Sequence, residues 1–518
     1  MKKITIILGA ALLLAACGTS NNSTTKKNKV VANASTYASS ITSADLKTAL
    51  YKYASDEFEG RETGKPGQKM AVNFIKEHYM KYGVAAAKSD GNYFQEVPLE
   101  LMSAPGILVD VNGVKYKQVD DIISVGAGKT QVLNTKEIIY AGFGIDDEKY
   151  SSYTNMEDLT DKIVLIKSGE PKNDDGTYAI TGTTQSSKWS DFRQAYASKR
   201  DAAQKRGAAA VLFYYPEVYQ MAAMRFGTSS GRMSLAGNSD VMYYFMVNTD
   251  LAKSLVSDIE TNEKTMPVAT NMSLDFKNNS EAISSENVAA VIKGSEKPDE
   301  YIIISAHLDH EGIKNGEVYN GADDDGSGTV AVLEIAEAFA KAKKDGNGPK
   351  RSIVFLNVTG EEKGLLGSRY YTDIDPIFPL ANTVADLNID MIGRIDPKRK
   401  KETRNYVYLI GSDKLSTELH NISEAVNKKY MNIDLDYTFN DDNDPNRFYY
   451  RSDHYNFAKN NIPVIFYFNG THDDYHRPGD TPDKIQYDLL ENRTRLVFYT
   501  AWELANRDAR IVVDKAVE

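Results

Sequence analysis

His307, the adjacent pair Glu361 and Glu362, and Asp390 each stand at the end of a short apolar run, and all four are side chains that bind divalent metals. The runs are residues 301–306 (YIIISA), 352–359 (SIVFLNVT) and 383–389 (TVADLNI). Continuous apolar runs of this length, separated by helical patterns, predict strands of a parallel sheet buried on both faces. Ligands gather outside the carboxyl ends of such strands, so His307 and Asp390 should share one rim although 83 residues separate them. Two further pieces belong with them. Residues 321–328 (GADDDGSG) form an acidic loop ahead of a helical pattern over 329–344. Another apolar run, 461–468, leads into 471–478 (THDDYHRP), where His472 and His476 are rival candidates.

Composition narrows the chemistry. Cys17 is the only cysteine, which excludes an internal disulfide and a thiolate cluster, so any metal must sit on His, Asp and Glu. The chain has seven histidines. Its net charge of -11 argues against a nucleic-acid surface, which needs a basic face. With 518 residues and 42% hydrophobic content, it has material for about three domains with full cores.

Lys2-Lys3 precede an apolar stretch of 13 residues, 4–16, shorter than the roughly 20 needed to span a bilayer. This pattern predicts a signal peptide over 1–17. Its end, LAACG, resembles the lipobox of bacterial lipoproteins, which implies lipidation of Cys17 and a protein anchored in the cell envelope by lipid alone. Residues 18–41, rich in Ser, Thr, Asn and Lys, read as a flexible tether.

The folded part is expected from residue 42. Residues 67–82 have helical periodicity (Met70, Phe74, Ile75, Tyr79) and stop at Gly83, a good C-terminal cap. Residues 131–276 hold strand-like pieces at 137–140, 163–167 and 209–215, a helical stretch near 200–207 and long polar loops, without a candidate ligand motif. They read as a domain inserted into a discontinuous one made of 42–130 and 277–518.

The order of these motifs resembles the di-zinc aminopeptidase family that includes aminopeptidase Y and, more distantly, glutamate carboxypeptidase and transferrin receptor. Residues 162–166 (KIVLI) and 205–211 (KRGAAAV) of the insert resemble a protease-associated domain. The resemblance implies an α/β fold with a mixed, mostly parallel central sheet flanked by helices, of the zinc exopeptidase type, carrying a β-rich insert. It also implies two zinc ions per chain. His307 and Asp390 would close one zinc and Glu362 with His476 the other, while Asp324 bridges them. Asp309 would orient His307 from behind. Glu361 would be the general base toward the zinc-activated water, and Tyr475 an oxyanion donor. A metal also accounts for three consecutive aspartates, which repel one another without cations. The alternating oxygen spacing of a calcium loop is absent. Cobalt or manganese could replace zinc on such a ligand set.

The expected activity is removal of N-terminal residues from peptides, the free amine being held by metal or by acids such as Asp323 and Asp453. A carboxypeptidase or dipeptidase on the same scaffold is the alternative, with Arg394, Arg447 or Arg451 meeting a terminal carboxylate. Glutaminyl cyclase, which uses one zinc on a related scaffold, and a non-catalytic binding protein are further alternatives. The loop Arg451-Ser452-Asp453-His454 is expected to border the pocket or to cap the following helix.

Overall fold

The structure is a computed structural model that describes residues 33–515, except 126–127, 157, 192–193, 228–231 and 237–241. The expected signal peptide, the lipidation site Cys17 and most of the tether lie outside the described residues. The tether ends earlier than residue 41. Ala34–Ala38 is a helix whose Tyr37 is buried and stacks on Trp502, with ring centroids 5.6 Å apart. The small and aromatic residues there suffice to dock the segment despite its polar surroundings.

The apolar runs become strands with every residue buried, as in Arg351–Val358 and Thr383–Ile389. They lie in a large sheet whose strands follow the order Asp434–Asp436, Tyr406–Ile410, Val464–Phe468, Thr383–Ile389, Lys297–His307, Arg351–Val358, Glu281–Ile292, Phe94–Met102 and Arg232–Leu235. The four central strands, from Val464–Phe468 to Arg351–Val358, are mutually parallel. Antiparallel strands flank them on both sides, so the sheet is mixed, and parallel pairing is confined to the centre and one edge pair. The helix Gly328–Lys344 is apolar almost all round and correspondingly buried beside this sheet.

A second, eight-stranded sheet holds most of the expected insert. It begins earlier than residue 131, because Gly106–Val111, Val114–Lys117 and Ile122–Ser124 already belong to it. The reason lies in the pairing. Phe94–Met102 runs antiparallel to Glu281–Ile292 in the first sheet, and the same two chain directions continue into the second as Gly106–Val111 beside Met266–Lys277. Arg232–Leu235, from the middle of the insert, pairs back with Phe94–Met102. The second sheet also carries three parallel pairings and the helices Ala195–Gln204, Pro216–Phe226 and Thr249–Leu255, so it is α/β in character. Among the described residues, no helix is long and apolar enough to cross a membrane.

Candidate metal centre and active site

Register explains how distant residues meet. In the parallel central strands Ser305 lies opposite Asn388, so Asp390, two residues on, comes level with His307. His307 is itself opposite Val358, which sets Glu361 and Glu362 just beyond the neighbouring strand. His307 Nε2 is 3.6 Å from Asp390 Oδ1 and 3.2 Å from Asp324 Oδ1. The other oxygen of Asp324 is 3.0 Å from His476 Nε2, which is in turn 3.2 Å from Glu362 Oε2. All five expected ligands therefore converge, and Asp324 joins the two halves with one oxygen on each side. Glu361, Asp390, Asp324 and His476 also line one pocket with Tyr475, Arg451, Thr471 and the apolar walls Met391, Phe448, Phe466 and Phe468.

The three aspartates of the acidic loop divide in a way their repulsion alone did not suggest. Asp324 reaches both halves of the centre, while a carboxylate oxygen of Asp325 lies within 4.8 Å of ligand atoms of His307 and Asp390. Asp325 Oδ1 accepts N–H groups from Gly328 and Met391 while its Oδ2 is buried without a hydrogen-bond partner, and Asp323 Oδ1 accepts from Gly393, so both help to fasten this loop to residues 391–393. Asp323 also faces His472 Nε2 at 3.2 Å, which takes His472 out of the cluster and removes Asp323 as an acid for a substrate amine. Glycine is needed at both ends of the loop. Gly321 has φ +52, and a Cβ there would lie 2.2 Å from the Asp324 carbonyl; at Gly328 one would lie 2.3 Å from the Asp325 carboxylate. The Asp324-Asp325 peptide bond is cis.

Asp309 meets His307 through its main-chain carbonyl, 3.0 Å from Nδ1. The carboxylate instead accepts from Thr63 Oγ1 at 2.6 Å and from the Glu361 N–H at 3.2 Å. It thus holds the base and not the histidine. Tyr475 stacks on His476 at 3.9 Å, and its hydroxyl accepts from Arg451 at 3.4 Å.

Three supports were missed in the sequence, and a fourth, Ser452, comes from the loop expected only to border the pocket or cap a helix. His310 Nδ1 stands 2.8 Å from Glu362 Oε1 in full burial, making it a further imidazole on the second half of the site. The only sequence signal was its spacing, three residues after His307. Asp480 accepts the N–H groups of Asp323 and Asp324 at 3.0–3.1 Å. Buried Arg61 donates to four main-chain carbonyls, those of Tyr53, Leu308, Asn320 and Gly321. Ser452 Oγ donates to Asp390. No periodicity marks these, because each acts on a loop far away in sequence.

The electrostatics show that the cluster recruits positive charge. Burial and the neighbours Glu362, Asp390 and Asp453 drive Glu361 well above the usual carboxylate range. Burial opposes charge on His476, yet Asp324 and Glu362 raise it to about 10. Burial and Asp324 push Glu362 up, but His310 and His476 outweigh them and hold it at about 2. His307 Nε2, Asp324 Oδ2 and Glu362 Oε1 are buried without a hydrogen-bond partner. Unsatisfied buried ligand atoms around several carboxylates are costly without a cation, so the residues present fit divalent metal ions. Imidazole and carboxylate without sulfur are suited to zinc.

Residues 287–501 match the model of Peptidase family M28. The match covers less than half of the chain. It contains every residue of the cluster just described. The chain is 38% identical over 105 residues to "Probable glutamate carboxypeptidase LAMP1" of Arabidopsis thaliana, covering 20% of this chain and 14% of that protein. It is 33% identical over 126 residues to "Aminopeptidase NAALADL1" of Mus musculus, covering 24% of this chain and 16% of that one. The chain thus spans less than a fifth of the length of either relative. A solved structure, "Aminopeptidase from Aneurinibacillus sp. strain AM-1", aligns over 93% of this chain and 98% of its own at 18% identity and a TM-score of 0.46.

Proposed function

We propose that the chain is a zinc-dependent exopeptidase that removes N-terminal residues from peptides, with two zinc ions shared by His307, Asp390, Asp324, Glu362 and His476. The observation that carries this reading is Asp324, whose two oxygens face histidines on opposite sides of one pocket. The match of residues 287–501 to Peptidase family M28 supports it, as do the names of similar proteins, which include an aminopeptidase. Zinc bound there supplies Lewis acidity and lowers the pKa of water.

The chain's own groups do the rest. Glu361 lines the pocket and, kept basic by neighbouring carboxylates, takes a proton from the attacking water and returns it to the departing amine. Asp309 fixes its backbone. Tyr475, at the rim beside His476, is placed to donate to a developing oxyanion. Met391, Phe448, Phe466 and Phe468 give the pocket an apolar wall suited to a large apolar side chain next to the scissile bond.

The test is a panel of aminoacyl-nitroanilides with their N-acetylated counterparts. Free leucyl and phenylalanyl substrates should be cleaved and blocked ones spared; equal cleavage of blocked substrates sinks the aminopeptidase reading. One observation favours the carboxypeptidase or dipeptidase alternative. Arg451 lines the pocket and, among the described residues, has no carboxylate partner, whereas Arg394 is tied to Asp474.

Two parts of the proposal rest on sequence. The segment 131–276 is proposed as a protease-associated domain bordering the pocket, and Cys17 as the lipid anchor of an exported, envelope-bound enzyme. Metabolic labelling with a fatty acid, lost in Cys17→Ser, tests the second.

A further inference from the structure

A second group of metal-ligating side chains lies away from the pocket. His78 projects from the helix Pro66–Lys81, and Glu334 and Glu337, one turn apart, project from the helix Gly328–Lys344. One ligand atom from each lies within 4.8 Å of the others. Glu334 lies six residues beyond Gly328, about 9 Å along the helix from its start at the acidic loop. Two acids and a histidine on helix surfaces would mean little alone. Here Glu334 is only 4% exposed, and no hydrogen bond or ion pair reaches its carboxylate among the described residues. Nε2 of His78 is likewise buried without a hydrogen-bond partner.

We propose that His78, Glu334 and Glu337 bind a divalent transition-metal ion that staples the helix Pro66–Lys81 to the helix Gly328–Lys344. One imidazole and two carboxylates are a ligand set that zinc and its neighbours accept, with remaining positions open to water. The electrostatics agree. Burial, with Glu337 and Asp45 nearby, pushes Glu334 up to about 8, and burial with Lys81 pushes His78 down to about 4. A neutral imidazole keeps its lone pair for a metal, and a buried carboxyl so far displaced has much to gain from a cation. Lys81 is the competing cation, but it is exposed and engages the ring of Tyr82, 4.7 Å from its centroid. The ion would be structural, tying the N-terminal part of the fold to the helix that leaves the catalytic loop.

This inference is independent of the peptidase reading and is tested by counting metal. Full-length protein, His78→Ala and Glu337→Gln are equilibrated with excess Zn2+, freed of loose ion and analysed by mass spectrometry of the metal. The wild type should hold one zinc more than either variant, and Zn2+ should raise its thermal midpoint further, while peptide hydrolysis is unchanged in the variants. The same difference of one should persist when His307 and His476 are both replaced by Ala, which separates this ion from those of the pocket. Glu337 is only half-buried, so Glu337→Gln retains a folded comparison if His78→Ala does not. Equal zinc counts in wild type and Glu337→Gln overturn the proposal and leave a proton, shared within the His78 and Glu334 pair, as the charge that satisfies it.

Discussion

Ser452 Oγ donates a hydrogen bond of 2.7 Å to Oδ2 of Asp390. Behind Ser452, Asn388 donates to the same hydroxyl, and Ser305 Oγ donates to the Asn388 carbonyl oxygen, so a buried polar chain runs from inside the sheet to its rim. Ser452→Ala removes the last link. Zinc affinity should fall by about 10- to 100-fold, the usual cost of losing such a support, measured by competition with a chromophoric chelator. Unchanged affinity would mean that strand register alone orients Asp390.

Glu361→Gln keeps the shape of the base and removes its ability to accept a proton. Metal content should be unchanged, while kcat drops by about a hundred- to ten-thousand-fold. A variant that retains near-normal turnover would move the base elsewhere, with Asp453, raised to about 7 by burial, as the next candidate.

Arg61 meets no carboxylate among the described residues, and its guanidinium is spent on main-chain carbonyls. Arg61→Met would leave the Asn320 carbonyl without its donor, whereas the Gly321 carbonyl keeps the N–H of Gly326. The loss should be about 1–3 kcal/mol, the cost of one buried unsatisfied group, read from urea denaturation. Arg61→Lys should recover little, because a compact ammonium cannot span the same fork.

Arg451→Gln separates the two exopeptidase readings. Cleavage of aminoacyl-nitroanilides, which lack a carboxylate, should stay within about threefold, since only an exposed cation is removed. If the enzyme is a carboxypeptidase, kcat/KM on peptides with a free C-terminus should fall by about 10-fold or more, the scale of one charge-assisted hydrogen bond.

Glu334 sets a pH dependence of stability in chelator. Its folded pKa of about 8 lies above the ordinary value of 4.5. The folded state therefore binds the extra proton, and its contribution is fully present below about pH 4.5 and lost as pH rises through about 8. Glu334→Gln, which is always neutral, should match the wild type near pH 5 and exceed it in denaturation midpoint near pH 9. A constant gap across that range would show that Glu334 does not titrate there.

The central sheet was readable because its strands are buried on both faces, which forces uninterrupted apolar runs such as residues 352–359, and because strand ends in such a sheet collect ligands. The helix Pro66–Lys81 was readable from its periodicity and the cap at Gly83. The beginning of the second sheet was not. Gly106–Val111 belongs there because of its partner Met266–Lys277, some 160 residues on, and no local pattern reports a partner.

The sequence by itself determined which residue types stand at the rim: His307, Glu361, Glu362 and Asp390 follow their strands, and a chain with a single cysteine has only imidazoles and carboxylates for a metal. Tertiary structure alone decided how those groups are used. Which of three aspartates joins the two halves of the centre, whether His472 or His476 closes it, and that Asp309 holds Glu361 by its carboxylate all depend on hydrogen bonds to segments folded in from elsewhere. A residue's chemistry is carried in its type, but its direction is set by the main-chain N–H and carbonyl groups that happen to face it, and those come from parts of the chain that only folding brings near.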